Sequence, residues 1–560
     1  MKQFLGRRTQ SATGRVASCS TKRCCRLILH PLWTIIVLLV RSRCRESRQL
    51  NRQDSEISTH DPTRTPVEPD DPPIAQLAVA EIEAEIDVEG SIRSGKLAGK
   101  SMWSAIWILA LPVLLQQMMT ACVGLVDTLL AGRLPKEIVL PALDAIGIGS
   151  YLNWFIGIAM AGLGIGGQAL ISRSVGAGDS FTSHRALGQA MVLSFLWGVV
   201  VAVILWFGVY PLAWWCKLSP DASALLVEYV HVTCYGMPLA GLMMVGSMCL
   251  HGAGETTLPA LIAVAVNIVN IFASWIFSGV DIPMGETVLM NPFSLDWHVA
   301  GIAAGTSLSF FIGAALTMWI VLRGVKDLKL RASDAKPDLA MSGRIIRVGL
   351  PGFLESLSMW SVNFFVLNFI GQIARADPKL SEGLQGAHVI AIRWESFSFL
   401  PGFAMGIAAG ALAGQFLGAG SPRLARKAII ACTAVGAIIM GLLGVVFMAF
   451  GEPLTTLISD EPIHVQEAPP LLFICGMVQV FFAITLVTRQ GLRGVGDTRW
   501  TFVITTLSSY GVRLPLAWLL GMHFEMGLTG VWIGLCGEIV LRSILFTGRF
   551  LHGGWTRIAV

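Results

Sequence analysis

Twelve long apolar segments follow one another from Ser101 onward, and they limit the fold more than any other feature of the sequence. A membrane-spanning helix needs about 20 mostly apolar residues, and in lipid every backbone polar group must be hydrogen-bonded within the protein. With 54% hydrophobic and only 14% charged residues, the 560-residue chain has the composition of a polytopic membrane protein. The segments are predicted at 104–130, 141–172, 187–215, 222–249, 257–279, 298–322, 344–371, 384–417, 424–450, 465–490, 500–520 and 527–549.

The first 100 residues do not share this pattern. Residues 1–50 are strongly basic, residues 51–90 are strongly acidic, and the apolar run Leu27–Val40 is interrupted by a proline and is too short to span a membrane. The basic part is a signal-like core, an organelle transit peptide or non-native sequence upstream of the true start. The acidic part is predicted to be a disordered linker. Neither part is needed for the function inferred below.

Positive charges are distributed unequally between the two sets of connecting loops. About sixteen Lys and Arg residues lie in the even-numbered connections and at the C-terminus, against about five in the odd-numbered connections. Because cytoplasmic loops of membrane proteins are enriched in Lys and Arg, both termini are predicted to be cytoplasmic. The formal net charge of +5 is therefore interpreted as a signal of membrane orientation and not of nucleic-acid binding.

The two halves of the apolar region repeat one another. The Leu111-Pro112 pair recurs as Leu350-Pro351, 239 residues on, and two glycine-rich loops recur after 242 residues. Each half has six segments, so both halves enter the membrane from the same side and are predicted to be related by a pseudo-two-fold axis along the membrane normal. We therefore predict an all-α polytopic protein with a tail (1–100), an N-terminal six-helix lobe (101–323), a basic cytoplasmic linker (324–343), a C-terminal six-helix lobe (344–550) and a cytoplasmic C-terminus (551–560).

One carboxylate lies inside the first apolar segment. A charged group in hydrocarbon costs about 2.5 kcal/mol or more, so Asp127 is predicted to face the bundle interior or a water-filled cavity. Gln117 lies about three helical turns before it and is expected on the same face, while Asn267 and Asn270 share a face of the fifth segment. Asparagine oxygens beside a carboxylate suit Na⁺, or a proton held on Asp127. The alternative is that the amides only join helices by hydrogen bonds.

The second half carries its own polar and charged candidates. Glu355, early in the seventh segment, is a second candidate coupling acid, unless it lies near the cytoplasmic interface. The residues interpreted as paired buried charges are Arg393, Glu395, Glu538 and Arg542. The candidates for a cargo cleft, chosen as polar, charged or aromatic side chains inside apolar segments, are Gln116, Asn153, Trp154, Trp360, Asn363, Arg393 and Glu395.

Other classes of function find little support in the sequence. Two Gly-x-Gly loops that end in an acid and a threonine lack the Gly-Lys-Ser/Thr end of a P-loop, and their acids, Glu255 and Asp497, are predicted to cap the helices that follow. Because the chain has no HExxH motif and no Gly-x-Ser-x-Gly elbow, an enzyme is not expected. The cysteines show no metal-binding spacing, and no cofactor is expected besides a coupling ion.

Four stretches in combination resemble the multidrug and toxic compound extrusion (MATE) family. They are VDTLLAGR after an early Leu-Pro, GGQALISRSVGAGD, RWESFSFLPGFAMGIAAGALAGQFLGAG and GLRGVGDTR, and the resemblance covers roughly residues 104–550. It implies twelve helices in two six-helix lobes around a V-shaped cleft, with antiport of organic cations or other amphipathic compounds against Na⁺ or H⁺. The family's first-helix acid falls on Asp127, and its polar fifth-helix positions fall near Asn267 and Asn270.

The chain departs from those family members that couple through the C-terminal lobe. Their acids in the seventh and tenth helices correspond to places around Met359 and Phe482 here, and an additional fifth-helix Asp of some members is replaced by Ser274 or a neighbour. These departures place the predicted coupling site in the N-terminal lobe, with Glu355 as a substitute acid in the other lobe.

The sequence thus predicts a secondary active efflux transporter that works by alternating access on amphipathic or cationic small molecules. Asp127 is the expected Na⁺ ligand if sodium is the coupling ion. The protein is expected as a multi-pass monomer in the bilayer of a bacterial inner (plasma) membrane, with no nucleic-acid partner. The alternative is a lipid-linked saccharide flippase of similar two-lobe architecture, which would favour a strongly cationic cleft, whereas few Lys or Arg are expected in the cleft of this chain.

Overall fold

Twelve long helices make up most of the chain that the structure describes. The structure, a computed structural model, describes residues 100–135, 138–216, 218–284, 287–293, 295–325, 328–376 and 383–558, so the predicted tail lies outside the described residues apart from Lys100. The N-terminal lobe comprises α1 (Met102–Ala131), α2 (Val139–Ala177), α3 (Ser180–Trp215), α4 (Pro220–Gly252), α5 (Thr257–Ser278) and α6 (His298–Arg323). The C-terminal lobe comprises α7 (Leu339–Ala376), α8 (Leu384–Gly418), α9 (Pro422–Ala449), α10 (Pro462–Gly494), α11 (Thr498–His523) and α12 (Gly527–His552).

All twelve helices contain a stretch that is long and apolar enough to cross a membrane. Many large apolar side chains are exposed on the outside of the two lobes, whereas alanine, glycine and other apolar residues fill the interior. An exposed apolar surface of this extent suits lipid and not water as the surrounding solvent. The all-α class is therefore confirmed, since the only strands in the described part are a short hairpin, Ile282–Met284 with Thr287–Leu289, between α5 and α6.

The helix bounds agree with the predicted segments to within a few residues at most ends. The largest difference is that α3 begins at Ser180 and not at 187; α2 ends five residues later than predicted, and α7 extends five residues beyond its predicted segment at each end, from Leu339 to Ala376. Apolar runs mark only the part of a helix that meets lipid, whereas the helix itself ends where its backbone is capped. The predicted basic linker, 324–343, is correspondingly shorter because its last five residues belong to α7.

Glycine and acidic residues cap several helices as predicted. Gly178 has a left-handed φ of 73° and ends α2, and the side chain of Asp179 then accepts a hydrogen bond of 2.9 Å from the backbone N–H of Thr182 to begin α3. Glu255 accepts hydrogen bonds from the first backbone N–H groups of α5, at 2.9 and 3.2 Å. Asp497 occupies the N-cap position of α11 as predicted, with the backbone of Trp500 acting on its carboxylate, which also accepts a hydrogen bond from Arg549 at 2.8 Å.

The two lobes meet at the end of the molecule where α2 and α8 end. A Cβ atom added to Gly176 would lie 2.0 Å from the carbonyl oxygen of Gln415, and one added to Gly418 would lie 2.1 Å from that of Arg173. Apolar residues of the first half of α1, among them Ile106, belong to the same buried cluster as the end of α8. We call this contact the inter-lobe seam, and its glycines are Gly162, Gly166, Gly176, Gly349, Gly352, Gly414 and Gly418.

Candidate cation and cargo sites

Asp127 lies in the last turns of α1, and only 4% of it is exposed. Its Oδ2 atom accepts a hydrogen bond of 3.4 Å from the hydroxyl of Thr306 on α6. Asn270 of α5 donates through Nδ2 to the same hydroxyl at 3.0 Å and to the hydroxyl of Ser274 at 3.4 Å. Helices α1, α5 and α6 thus meet at a buried set of polar side chains that we call the Asp127 group: Asp127, Asn267, Asn270, Ser274 and Thr306.

The hydroxyl of Thr306 gives Asp127 only weak support. It lies 3.4 Å from the carboxylate and 3.3 Å from the backbone carbonyl of Ile302, one turn earlier. A hydroxyl carries a single hydrogen, so it donates to one of these two acceptors at a time. The carboxylate is therefore held by neutral groups, and no described ion pair involves it.

Three buried acceptor oxygens of the Asp127 group lack a hydrogen-bond donor among the described residues. They are Oδ1 of Asp127, Oδ1 of Asn267 and Oδ1 of Asn270. The amide of Asn267 donates to the carbonyl oxygen of Ala263 at 2.8 Å, which leaves its oxygen unpaired. An unsatisfied buried polar group costs about 1–3 kcal/mol, and more if it is charged. Oxygen ligands of this kind suit a hard cation.

The two glutamines of α1 lie apart from the Asp127 group. Gln117, expected on the same face as Asp127, is half-buried, and no described hydrogen bond joins it to the group. The side-chain oxygen of Gln116 accepts a hydrogen bond of 3.1 Å from Nε2 of His251 on α4. The structure therefore does not bring Gln117 into contact with Asp127, and a coupling role for it stays a prediction.

The hydroxyls of Ser274 and Thr306 were not among the predicted coupling residues. Ser274 was noted only as the position where some relatives carry an acid, and Thr306 was missed. A hydroxyl in an apolar helix commonly bonds the carbonyl oxygen one turn earlier, as Thr306 also does. Because its partner Asp127 is 179 positions away in sequence, no local pattern distinguishes Thr306 from other buried threonines.

In the C-terminal lobe, Glu355 is fully buried and does not lie at an exposed interface. Its Oε2 binds Nη2 of Arg493 at 2.7 Å and Nε at 3.1 Å, while Oε1 accepts a hydrogen bond from the hydroxyl of Thr505 at 2.8 Å and lies 3.7 Å from Arg489. These contacts join α7, α10 and α11. The charge of Glu355 is already compensated, which favours a structural ion pair over a second coupling acid.

A second buried ion-pair cluster joins α11 and α12. Glu538 lies 2.6 Å from Arg542 and 3.1 Å from Arg513, so the predicted pairing of Glu538 with Arg542 is confirmed. Arg542 also donates to the hydroxyl of Ser509 at 2.8 Å. Ser509 and Arg513 bound a π-helical turn inside α11, an irregularity that is frequent at functional sites.

The predicted pairing of Arg393 with Glu395 on α8 is wrong. Arg393 is exposed, Glu395 is half-buried, and neither has an ion-pair partner within 4.0 Å among the described residues. Two positions apart on a helix, the side chains point about 200° apart and do not face each other. Both residues stay candidates for the cargo cleft, and Arg513 is the nearest opposite charge to act on Glu395.

Arginines outnumber glutamates in the two buried clusters of the C-terminal lobe. Four arginines surround Glu355 and Glu538, and Nε of Arg489 has no hydrogen-bond partner among the described residues. The sequence does not show which arginines of α10, α11 and α12 point inward, and the expectation of few positive charges in the cleft stays a prediction, because no described pocket is lined by these arginines. The four are Arg489, Arg493, Arg513 and Arg542.

Among the aromatic cargo candidates, Trp360 of α7 lies where the lobes face each other. Its ring centroid is 5.8 Å from that of Phe155 on α2 and 4.7 Å from that of Phe364. Asn363, one turn further along α7, is half-buried. The remaining two candidates, Asn153 and Trp154, belong to α2, and their side chains lie outside the described part of the structure.

No group of three or more His, Cys, Asp or Glu side chains comes together in the described residues to hold a metal ion. This arrangement does not resemble a transition-metal site. The neutral oxygens around Asp127 are instead the ligand type that alkali and alkaline-earth cations prefer. Na⁺ therefore fits the donor set of the Asp127 group, and so does a single proton on the carboxylate.

Comparison with known proteins matches the chain along most of the described region. A family model described as MatE matches residues 112–276 and 351–519, two ranges that begin 239 positions apart and so coincide with the predicted repeat. The probable multidrug resistance protein NorM of Thermotoga maritima is 26% identical over 459 residues, which is 81% of this chain and 93% of that protein.

Two solved structures share the fold. One is described as the outward-facing conformation of a multidrug resistance MATE family transporter of the MOP superfamily, with a TM-score of 0.72, 21% identity and coverage of 81% of this chain and 96% of that one. The other is a MOP superfamily transporter from Pyrococcus furiosus Vc1, for which a reverse polarity of the binding pocket is said to suggest a different function; its TM-score is 0.72 at 21% identity, covering 83% and 97%.

Proposed function

Because the chain belongs to the MatE family of transporters, we propose that it exports amphipathic organic cations in exchange for a Na⁺ ion or a proton bound at Asp127. The observation that carries the proposal is the Asp127 group, in which a buried carboxylate and two amide oxygens lack donors. A cation or a proton there satisfies the oxygens and removes an uncompensated buried charge. The names of the curated relatives, which specify multidrug resistance, support a small-molecule cargo.

The lobe that lacks this carboxylate supports the same assignment. The position 239 residues after Asp127 is Val366, which is 2% exposed and packs in the apolar core of the C-terminal lobe. The carboxylate is therefore not part of the framework that both lobes share. A group that destabilises one lobe without serving its packing is expected to have a functional role.

Three helices carry the binding event to the rest of the protein. An ion at Asp127 draws α1, α5 and α6 together through oxygens that are unpaired without it. The first half of α1 packs in the inter-lobe seam, and Pro112 interrupts the hydrogen bonds between the two halves of that helix. Binding at one end of α1 thereby changes the packing at its other end, which is the coupling that alternating access requires.

The test of coupling is dye efflux from vesicles that contain the purified full-length protein. Asp127→Asn keeps the size of the side chain but removes its charge, and we expect it to abolish gradient-driven efflux in a protein that still folds. Asp144→Asn, which changes an exposed acid on α2, is the matched control and should transport normally. Normal efflux by Asp127→Asn would rule out the assignment.

The same vesicles identify the ion. An inward Na⁺ gradient and a pH gradient are imposed separately with a panel of cationic dyes. Efflux driven by only one of the two gradients identifies the coupling ion. Efflux that responds to neither gradient contradicts secondary transport.

The orientation and assembly of the protein are part of the proposal. The excess of Lys and Arg in the even-numbered loops supports cytoplasmic termini, and we propose a monomer in the inner membrane. Labelling of single cysteines at the ends of α2 and α12 with an impermeant reagent, before and after permeabilisation, tests the orientation. Labelling of these sites in intact cells would contradict it.

A second candidate function is the movement of an anionic amphiphile such as a lipid-linked saccharide. The excess of buried arginine over glutamate in the C-terminal lobe favours it, because the unpaired Nε of Arg489 is a donor for an anionic group. The two candidate functions predict different competitors, since each cargo should be displaced by compounds of its own charge. Competition by anionic but not by cationic amphiphiles, and its loss in Arg489→Gln, would favour this second function.

A further inference from the structure

A groove of about 1190 Å³ opens on the N-terminal lobe between α3 and α4, two helices that do not carry the Asp127 group. The groove lies at the end of the helix pair where α3 ends, at Trp215, and α4 begins, at Pro220. By the predicted orientation this is the outer face of the membrane, at the depth where tryptophan and tyrosine concentrate. The volume is somewhat above the range of about 300–1,000 Å³ for sites that take drug-sized molecules.

Two stripes of side chains line the groove. Trp206, Tyr210 and Trp214 are spaced four residues apart and therefore form one face of α3, about 12 Å long. Facing them on α4 are Glu228, His231 and Tyr235, which are spaced three and four residues apart. The groove is thus walled by aromatic rings on both sides, with one carboxylate near its open end.

The rings are fixed in position by contacts with one another. His231 stacks on Trp206 with ring centroids 3.8 Å apart and ring planes within 4° of parallel. Its Nε2 atom donates a hydrogen bond of 3.1 Å to the carbonyl oxygen of Trp206, which fixes the rotation of the imidazole. Tyr235 packs edge-on against Trp206, and Tyr210 packs edge-on against His231, both with centroids 5.8 Å apart. His231 thereby covers one face of the Trp206 ring, while the rings of Tyr210, Trp214 and Tyr235 remain exposed.

The charge of the groove is negative. Glu228 is exposed and has no ion-pair partner among the described residues. The described lining contains no Lys or Arg, and His231 is its other titratable side chain besides the tyrosines. Aromatic faces attract a cation through the ring quadrupole, and a nearby carboxylate adds to that attraction.

We propose that this aromatic groove binds an amphipathic organic cation, with a quaternary ammonium group beside Glu228 and a flat aromatic body against the rings of Trp206 and Tyr235. A choline phospholipid has the same ammonium group, but its phosphate would come close to Glu228. The described lining supplies no Lys or Arg to bind that phosphate. Among the described lining residues, the charge of Glu228 therefore favours a cation over an anionic group.

The site shares its ligand chemistry with the proposed function but does not depend on transport. A cation held there lies between α3 and α4, whereas the coupling site at Asp127 is formed by α1, α5 and α6. The groove concentrates amphipathic cations at the membrane interface next to the protein. Binding is measurable whether or not the protein couples efflux to an ion gradient.

The test uses full-length protein in nanodiscs of phosphatidylethanolamine and phosphatidylglycerol, with ethidium as the flat quaternary cation and its fluorescence as the readout. Glu228→Gln and Tyr235→Leu should each weaken one component of ethidium binding by about tenfold, from the loss of a charge and of a cation–π contact. Asp221→Asn, an exposed acid in the first turn of α4 outside the groove lining, is the matched control and should bind as the unaltered protein does.

Two further arms separate the alternatives. Asp127→Asn should keep the groove component even though efflux is lost, so the failure of one proposal is distinguishable from the failure of the other. Nanodiscs with added phosphatidylcholine should leave ethidium binding unchanged. Unaltered binding in both groove variants would overturn the proposal, and displacement of ethidium by phosphatidylcholine would show that the groove is a lipid site.

Discussion

Buried acids behave differently in the two lobes because their neighbours differ. Glu355 and Glu538 each contact arginine guanidinium groups at 2.6–3.1 Å, which offsets most of the free energy lost when a carboxylate leaves water. Asp127 faces only hydroxyl and amide groups. Glu355 and Glu538 are therefore held in fixed ion pairs between helices, whereas Asp127 is able to bind and release a cation or a proton.

The hydroxyl of Thr306 should tune the ion site. Thr306→Val preserves the shape of the side chain but removes the described donor to Asp127 and an acceptor for Asn270. We expect the Na⁺ concentration at half-maximal efflux to rise by about fivefold if sodium is the coupling ion, since one hydrogen bond or ligand is worth about 1 kcal/mol. Under proton coupling, the same variant should shift the pH dependence of efflux.

The control for this experiment is Thr317→Val on the same helix. Thr317 is also fully buried, but its hydroxyl bonds the carbonyl oxygen of Gly313 and lies outside the Asp127 group. Efflux by this variant should keep the ion dependence of the unaltered protein. An identical ion dependence in Thr306→Val would show that the hydroxyl does not take part in coupling.

Removal of the charge of Glu538 should destabilise the C-terminal lobe. Glu538→Gln leaves Arg513 and Arg542 buried without a counter-charge, and breaking such a pair costs about 3–5 kcal/mol. The thermal unfolding temperature in detergent should fall accordingly. The double variant Glu538→Gln/Arg513→Gln should recover part of the loss; if it is instead less stable than the single variant, repulsion between the arginines is not the cause.

Some of these residue roles could be predicted from the sequence and others could not. Asp127, Asn267 and Asn270 stand out because polar side chains are rare inside apolar segments; the structure joins Asp127 and Asn270 through Thr306, and buries Asn267 one turn from Asn270 on α5. Thr306 and Arg489 do not stand out, since a threonine is common in a spanning helix and an arginine near a helix end is commonly a surface charge. Which way such side chains point depends on packing between helices that are distant in sequence.

Local chemistry makes the caps at two helix ends predictable, even though the apolar runs misplace the starts of α3 and α7 by several residues. The loops after α2 and α8 each pair a left-handed glycine, Gly178 or Gly420, with a polar residue that accepts a hydrogen bond at the start of the next helix. The first π-helical turn of α11, Ser509–Arg513, comes just before Pro515, which has no backbone N–H to donate to the preceding turn. The contact between Ser509 and Arg542 also involves this turn.

Asp179 should contribute to stability as the cap of α3. Asp179→Ala is expected to cost about 1 kcal/mol of unfolding free energy, whereas Asp179→Asn keeps an acceptor and should cost less. Hydrogen bonds from Thr182 hold the pKa of the Asp179 carboxyl below its usual range. The contribution of the charge is therefore present above about pH 4, the usual value for Asp, and is lost as the pH falls through the lowered pKa.

Chemical unfolding of the three proteins at neutral and at acidic pH measures this contribution. The difference between the unaltered protein and Asp179→Asn should shrink as the pH falls. A difference that grows on acidification would mean that the carboxylate does not stabilise the helix through its charge.

At the scale of the whole molecule, the contacts of the inter-lobe seam fix the conformation. At Gly166, Gly176 and Gly418 the backbones of the two lobes are so close that a Cβ atom added to the glycine would clash with a backbone carbonyl oxygen of the other lobe. The seam lies at the end where α2 and α8 end, which is the predicted cytoplasmic side, so the lobes are closed there. The twofold repeat predicts two lobes, but it does not predict which end of the cleft is closed.

Gly176→Ala should shift the protein away from this conformation. The added Cβ atom would lie 2.0 Å from the backbone carbonyl oxygen of Gln415, a contact that side-chain rotation cannot relieve. The lobes must therefore separate at this end. Spin labels are placed at the exposed positions Phe181 and Arg423, and the distance between them is measured by pulsed electron paramagnetic resonance. We expect a longer mean distance in Gly176→Ala, together with slower efflux.

Gly147→Ala is the matched control, because that glycine of α2 has no atom within 4 Å of the added Cβ. If Gly176→Ala gives the same distance distribution as this control, the close approach of the glycines does not determine which end of the cleft is closed.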